Sequence, residues 1–411
     1  MTPWKPIATN AVLAAVLLLV GWRVLGLGMA DALAGVQPER ALQWRADHPH
    51  ALLVAAEQLA TSEPGKAAAF AREGLRQNPL EGRAFRVLGH IAQAGGEQQE
   101  VVGLYEIAAL RSPRDVQTHA WLERHYLTSG QLPQALHHAD MMLRVQPQTK
   151  ARQYPVLQAL AAMPQAQGEL AVLLGKRPPW RQSFIGYLSL KAPDSQAVSG
   201  LVTRLRKIEG GLDETEMSLW LDRLNRDRRW GEAYITWASS LGAAKQSELA
   251  NVFNGGFEHE PGNSGFDWRF GKVPGAYIER LATTGAGGNL ALRISFEDRR
   301  VPFDHVRQLL ALPPGSYLLT GRYRADGLRS TRGLVWSVAC ADDNQQLAAA
   351  EPVSGRTPWR KFSMSFHLPE GRCAGQWLKL SVPSRIRAEQ RIGGQAWFDD
   401  LRIVRQDTAS G

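Results

Sequence analysis

Proline recurs at a fixed interval in the first half of the chain. Pro79, Pro113 and Pro147 follow one another at steps of 34 residues. Between them, small and large apolar residues recur at helical spacing, and each proline follows the end of such a run. A repeat of this length indicates a helix–turn–helix unit, which buries its apolar faces only by stacking on further units. This half of the chain is therefore predicted to be an array of helix pairs.

The unit between Pro79 and Pro113 resembles the tetratricopeptide repeat family. The resemblance is carried by apolar and small residues of two helices: Phe85, Leu88, Gly89 and Ala92, then Val101, Tyr105 and Ala108. The next unit departs from the pattern, because Glu123 replaces the expected glycine and Trp121 is displaced. The resemblance implies an α-solenoid over residues 37–245 that docks a protein partner. The alternative is a spacer that holds the rest of the chain away from a membrane.

Residues 1–34 contain a membrane-targeting signal. An apolar stretch after Lys5 is interrupted by Arg23 and then continues to Met29. It is long for the apolar region of a signal peptide, which favours a single uncleaved anchor whose Arg23 reaches the membrane surface. The alternative is cleavage at small residues near Ala30–Ala34, which gives a soluble periplasmic protein. Either way, we expect the bulk of the chain in the periplasm, and with the anchor a single-pass inner-membrane protein.

After Glu248 the periodicity changes from helical to alternating. Alternating or apolar runs separated by turn residues predict strands at 290–296, 316–324, 333–340, 359–368, 376–382 and 396–404. Short strands at this spacing are typical of a β-sandwich. The predicted fold class is therefore multidomain: a membrane helix, an α-solenoid and a C-terminal jelly-roll β-sandwich.

The predicted sandwich also resembles a known family. Asn254–Glu258 followed by Trp268 looks like the first strand of carbohydrate-binding modules of families 4, 9 and 22, which have galactose-binding-like folds. Ala396–Val404 is similar to their closing strand, so the resemblance covers residues 250–405. It implies that the sandwich binds a polysaccharide.

Sugars bind to aromatic faces and to polar groups beside them. We predict Trp268, Tyr277 and Trp336 as the ligand-binding aromatics, the first two on loop-like segments. For Trp268, the alternative is a plug over one end of the sandwich. The resemblance implies that Trp359 and Trp397 pack inside.

The resemblance also implies a structural Ca²⁺ ion between the first and last strands, held by Glu258, Asp399 and Asp400. The alternative is that Glu258 caps a turn and the aspartates are solvated. Cys340 and Cys373 are the two cysteines of the chain. In an exported domain such a pair suggests a disulfide bond, and the alternative is two buried thiols.

Charge and motifs exclude other classes. The net charge of +9 comes from scattered basic residues without a run of five, so we expect no nucleic-acid partner. The sequence contains no nucleophile elbow, phosphate-binding loop or zinc-protease motif, and we expect no enzymatic activity. The histidines of the helical half are expected to be solvated or to cap helices.

Together these features predict a membrane-anchored scaffold or accessory protein for exopolysaccharide or capsule assembly and export. Its solenoid would dock a protein and its sandwich would bind the glycan. The alternatives are a purely protein-binding assembly factor with a structural sandwich, and a polysaccharide-modifying enzyme.

Overall fold

A computed structural model describes residues 5–96 and 98–406, which form helices followed by an antiparallel β-sandwich. The helices are α1 Lys5–Ala34, α2 Pro38–Trp44, α3 Pro49–Leu59, α4 Pro64–Gln77, α5 Gly82–Gly95, α6 Gln98–Arg111, α7 Val116–Thr128, α8 Leu132–Val145, α9 Lys150–Ala162, α10 Gln167–Gly175, α11 Arg181–Lys191, α12 Ser195–Lys207, α13 Glu214–Arg226, α14 Trp230–Ala238 and α15 Ala243–Gln246.

Consecutive helices of the repeat region pack in pairs. Helix α3 packs on α4, α5 on α6, and α7 on α8. Gly89 of α5 permits one close approach, since a Cβ atom there would lie 2.9 Å from the ring of Tyr105 on α6. The pairing follows the predicted repeat, whereas membership of the tetratricopeptide family stays a prediction.

Helix α1 continues without a break from its apolar segment into contact with α2 and α3. Its residues Ala11–Ala34 are long and apolar enough to cross a membrane. Near its C-terminal end, Ala30 and Ala34 are fully buried. Asp31 accepts a hydrogen bond from His48 Nε2 at 2.7 Å, and His48 in turn caps the N-terminus of α3.

The chain divides into two compact units. One extends to Arg181 and includes Gly200–Glu209, and the other holds Gln182–Ser199 and the chain from Gly210 onward. The second unit thus contains α13 and α14 as well as the sandwich, and the domain boundary near residue 245 stays a prediction. Within this unit, Trp237 of α14 lies 5.2 Å from Phe253 and 5.7 Å from Phe266, ring centre to ring centre.

The sandwich consists of two five-stranded antiparallel sheets. Its strands are β1 Trp268–Phe270, β2 Ala276–Leu281, β3 Ala291–Arg300, β4 Val306–Leu310, β5 Gly315–Ser330, β6 Val335–Cys340, β7 Gln346–Ala349, β8 Gly355–Leu368, β9 Gln376–Ser381 and β10 Arg391–Gln406. The first sheet has the order β1-β4-β9-β6-β7, and the second, here called sheet B, has the order β2-β3-β10-β5-β8.

The six predicted strands are present, but the expected first strand is not. Residues 254–256 lie in a turn and residues 257–258 have no regular structure, and Asn254 and Phe257 adopt positive φ angles of 51° and 56°. The segments around Trp268 and Tyr277, expected as loops, are instead the short strands β1 and β2. These strands are three and six residues long, too short to show a clear alternation in the sequence.

Candidate functional site

Two of the three predicted sugar-binding aromatics lie in the core, so the prediction is wrong for Trp268 and Trp336. Their exposed fractions are 0% and 1%. Trp268 lies 5.1 Å from Phe257 and 5.7 Å from Trp336, and its Nε1 donates to the main-chain oxygen of Asn254. Both rings fill space between the two sheets, and neither can present a face to a ligand.

Tyr277 is exposed, and its role as a ligand-binding residue stays a prediction. It lies on β2 and lines an open groove of about 600 Å³ together with Lys272 and Glu279. Its hydroxyl donates to Glu297 Oε1 at 2.7 Å, and this hydrogen bond raises the pKa of Tyr277.

Trp359 and Trp397 lie on the outer face of sheet B, contrary to the expectation that they pack inside. Ala396 and Phe398 flank Trp397 on β10 and are fully buried in the core, so Trp397 points to the opposite face. Trp359, on β8, is half-buried, and its Nε1 donates to the main-chain oxygen of Thr284 at 3.0 Å. Successive residues of a strand point to opposite faces of the sheet, and the resemblance does not indicate which face of sheet B Trp359 and Trp397 occupy.

Arginine side chains bracket both tryptophans. Arg324 lies 4.6 Å from the ring centre of Trp397 and 5.8 Å from that of Trp359. Arg293 covers Trp397 at 5.6 Å, and Arg322 covers Trp359 at 5.2 Å. These five residues, here called the tryptophan–arginine row, cross strands β3, β10, β5 and β8. Cation–π contacts hold the rings in fixed orientations at the surface of the sheet.

Three buried polar atoms beside this row make no hydrogen bond to the described residues. They are Trp397 Nε1, Arg293 Nε and Ser295 Oγ. Arg293 and Ser295 are alternate residues of β3, and Arg293 pairs directly with Trp397 of β10. An unpaired buried polar group costs about 1–3 kcal/mol. A hydrogen-bonding group that reached these atoms would remove that cost.

An open groove adjoins the row across β5, β8 and β10. It has a volume of about 570 Å³ and is here called the basic groove. Its lining combines three cations, one carboxylate, two hydroxyls, an aromatic ring and a glycine: Arg322, Lys361, Arg402, Asp400, Thr320, Ser363, Phe362 and Gly321. A lining with an excess of cations and hydroxyl groups suits a polar, negatively charged ligand better than an apolar one.

The predicted calcium residues converge on the loop between β2 and β3. Glu258 Oε1 accepts hydrogen bonds from the main-chain nitrogens of Asn289 and Leu290, at 2.8 and 3.1 Å. Asp399 accepts from the main-chain nitrogen of Gly287 at 2.6 Å, and burial raises its pKa. This loop joins the antiparallel strands β2 and β3.

The carboxylates lie close against the glycines of this loop. A Cβ atom at Gly288 would lie 2.1 Å from Glu258 Oε1, and one at Gly287 would lie 2.3 Å from Asp400 Oδ2. Glu258 and Asp399 thus clasp the loop through hydrogen bonds to its main chain, and Asp400 lies against it.

The same contacts bear on a metal. Asp400 Oδ2 accepts from Arg322 at 3.4 Å, and the other two carboxylates accept from main-chain N–H groups. Within the described ranges, no group of three or more His, Cys, Asp or Glu side chains is arranged to hold a metal ion. Calcium at this site stays a prediction.

A disulfide bond joins Cys340, at the end of β6, to Cys373, just before β9. It closes the turn region beside α14, where a Cβ atom at Gly375 would meet the ring of Trp230 at 2.5 Å. The bond lies in the sandwich core and away from the basic groove.

The helical unit has a groove of its own, here called the helix groove. It has a volume of about 440 Å³ and is lined by residues of α3, α5, α6, α7 and α9, including Arg86, Tyr105, Trp121, Arg124 and Arg152. Trp121 is stacked on Tyr105 with ring centres 3.9 Å apart. Arg86 pairs with Glu57 and Asp115, whereas Arg124 and Arg152 are exposed.

No protein-family model and no curated protein matches the sequence. Among solved structures, the chain is similar to one described as "CBM4 structure and function", at 16% identity and a TM-score of 0.29, covering 38% of this chain and 99% of that one. It is also similar to TmCBM61 in complex with β-1,4-galactotriose, at 18% identity and a TM-score of 0.27, covering 38% and 99%.

A third similar structure is the CBM22-1 xylan-binding domain of Paenibacillus barcinonensis Xyn10C, at 11% identity and a TM-score of 0.24. The match covers 34% of this chain and 87% of that domain. Values of this size assign the chain to no family.

Proposed function

We propose that the sandwich is a non-catalytic glycan-binding domain, carried by a membrane-anchored helical scaffold. The observation that carries the proposal is the half-buried ring of Trp359, bracketed by Arg322 and Arg324 and adjoining the basic groove. A sugar ring packs its C–H face on such an indole, while its hydroxyls bond to neighbouring polar groups.

A binding role is favoured over catalysis by the composition of the basic groove. Glycoside hydrolysis commonly needs two carboxyl groups on opposite sides of the scissile bond. Among the described residues that line this groove, Asp400 is the one carboxylate, and Arg322 already pairs with it. A polysaccharide-modifying enzyme is thus the third-ranked function.

The helical unit supplies the second half of the proposed function, which is docking of a protein partner. The helix groove offers exposed Arg124 and Arg152 beside the stacked ring of Trp121. Aromatic and arginine side chains are enriched where proteins meet. Glycan binding and protein docking in one periplasmic chain suit a scaffold in exopolysaccharide or capsule assembly and export.

The anchor is proposed to stay attached. Cleavage near Ala30–Ala34 would remove contacts at the end of α1. Ala30 and Ala34 are buried there, and Asp31 forms a hydrogen bond with His48. The buried helix end thus favours a single-pass protein over a released periplasmic one.

The test is binding of the full-length chain, in detergent micelles, to a panel of bacterial polysaccharides with and without Ca²⁺. Trp359→Ala should abolish saturable binding. The matched control is Trp377→Ala, since Trp377 is also half-buried and bracketed by two arginines, but on the other sheet. Tyr277→Ala tests the groove beside β2 separately.

If the panel shows no binding, the sandwich is structural. The function would then be that of a purely protein-binding assembly factor. If Trp377→Ala also abolishes binding, the site does not lie on the outer face of sheet B.

A further inference from the structure

We infer that the glycan bound on sheet B is acidic, and that the cations of the basic groove bind its anionic groups. This inference rests on the proposed glycan binding and names the chemical class of the ligand. The shared chemistry is a carboxylate, sulfate or phosphate group on a sugar, because each pairs with guanidinium and ammonium groups.

The first argument is the charge of the lining. Arg322, Lys361 and Arg402 face one carboxylate, that of Asp400. Asp400 lies 3.4 Å from Arg322 and 3.9 Å from Arg402, so the two arginines share one negative charge. A groove with an excess of positive charge attracts anions and disfavours other cations.

The second argument is the state of the cations. Lys361 and Arg402 are exposed, and the structure gives Lys361 no ion pair with another described residue. Other exposed arginines of the sandwich are paired with carboxylates, as Arg391 and Arg329 are with Asp298. Lys361 is thus available to an outside anion, while Arg402 and Arg322 share the one carboxylate of Asp400.

The third argument is the placement of the cations on the strands. Lys361 of β8 pairs in register with Arg322 of β5, and the next outward row holds Ser363, Thr320 and Arg402. Successive outward rows lie roughly 7 Å apart along the strands. Cations thus recur both along and across the strands, and hydroxyl groups lie between them. A polysaccharide with a charge on successive sugars requires such a recurring set of cations.

The fourth argument separates a sugar from a simple polyanion. The tryptophan–arginine row adjoins the groove, since Arg322 lines the groove and also covers Trp359. The indole needs an apolar face to pack on, which a sugar ring provides and an extended acidic peptide does not.

The experiment compares matched probes on the full-length protein in detergent micelles, by titration calorimetry. The probes are polygalacturonate, its fully methyl-esterified form, dextran sulfate with unsulfated dextran, and polyglutamate. We expect polygalacturonate or dextran sulfate to bind roughly tenfold more tightly than the matched neutral polymer, from two solvent-exposed ion pairs. The preferred member of the two acidic polymers distinguishes carboxylate from sulfate.

The variants are Lys361→Gln and Arg402→Gln, both at exposed positions where folding is not at risk. Each should weaken binding of the acidic polymer severalfold, and by more than it weakens binding of the matched neutral polymer. Arg387→Gln is the control, since Arg387 is equally exposed on the same domain but outside the groove lining.

Each other outcome overturns the inference in a distinguishable way. Equal binding of acidic and neutral polymers would leave glycan binding in place and remove the acidic specificity. Polyglutamate binding as tight as that of the acidic glycans would mean general attraction of polyanions. Failure of every polysaccharide to bind, neutral or acidic, would remove the proposed function itself.

Discussion

His119 of α7 and His138 of α8 face each other inside the helical unit, with their Nδ1 atoms 2.8 Å apart. The main-chain oxygen of Pro113 lies 3.0 Å from His119 Nε2, so that nitrogen carries the proton and His119 Nδ1 accepts from His138. Both rings are buried. Solvated or capping histidines were expected here; His48 does cap α3, but these two do neither.

The pair predicts a loss of stability in acid. Burial lowers the pKa of His119, and burial together with the neighbouring histidines lowers the pKa of His138 to about 3. In the unfolded chain, histidine has its ordinary pKa of about 6.5, so the unfolded chain binds protons that the folded chain does not. Stability is thus complete above that value and falls as the pH decreases below it.

At pH 5 we expect the free energy of unfolding to be about 1 kcal/mol lower than at pH 7. A wholly desolvated ring would give a decrease of roughly 2 kcal/mol, and contact with solvent reduces it. The measurement is urea unfolding of the helical signal between pH 7 and 5. His138→Leu should be less stable at pH 7 but lose less on acidification. Equal losses in both proteins would place the acid sensitivity elsewhere.

Glu258 yields a second prediction at this scale. Glu258→Ala leaves the N–H groups of Asn289 and Leu290 without their acceptor, which should reduce the free energy of unfolding by about 1–2 kcal/mol. Glu351→Ala is the control, because Glu351 is an exposed glutamate of the same domain. Chemical denaturation that gives equal values for the two variants would contradict the clasp.

The same proteins test the calcium prediction. If Glu258, Asp399 and Asp400 hold Ca²⁺, the ion should raise the unfolding midpoint of the wild type and not that of Glu258→Gln. A wild-type midpoint that is the same in Ca²⁺ and in a chelator would contradict calcium at this site.

At the scale of residues, the sequence identifies the aromatic residues of the sandwich but not the face of the sheet on which each one lies. Trp336 sits in β6, where all six residues are buried, so its neighbours show no alternation. Trp397 does alternate with Ala396 and Phe398, yet its own arginine partners come from β3 and β5. Those partners are more than 70 residues away in the chain, and only the sheet order brings them together.

At the scale of elements, the C-terminal end of helix α1 bears on whether the apolar segment stays with the protein. The end of the helix is part of the helical unit, since Ala30 and Ala34 are fully buried there. We predict that the protein isolated from membranes retains its N-terminal segment. Intact-mass measurement checks this, and a chain that begins after Ala30, Ala32 or Ala34 would show that the segment is a cleaved signal.

The disulfide bond gives a prediction for strands β6 and β9. Cys340 and Cys373 are separated by 33 residues, and a loop of that length corresponds to about 3–4 kcal/mol on the chain-entropy scale. Cys340→Ala/Cys373→Ala should therefore lower the unfolding free energy of the sandwich by about that amount. A reductant should act likewise on the wild type and leave the double variant unchanged.

Element prediction from sequence succeeded where the strands are long. β3, β5, β8 and β10 have 10 to 16 residues and contain the predicted runs. β7 has four residues, of which none is buried, so it carries no apolar pattern to detect. Asn254–Glu258 predicts a strand through its match to a family pattern of aromatic and acidic residues and not through any alternation, and the structure forms no strand there.

At the scale of the whole molecule, two compact units carry different sensitivities. The histidine pair lies in the helical unit, and the disulfide bond lies in the unit that contains the sandwich. Each unit has its own buried core, so we predict two unfolding transitions rather than one.

The two perturbations should therefore separate the transitions. Acidification from pH 7 to 5 should lower the midpoint of the transition seen by circular dichroism of the helices, since the unfolded helical unit takes up the protons that His119 and His138 refuse. Reduction should lower the midpoint of the other transition, followed by fluorescence of the sandwich tryptophans. A single transition that both treatments move equally would mean that the chain unfolds as one cooperative body, and a protein or glycan bound to either unit would then stabilise the whole chain.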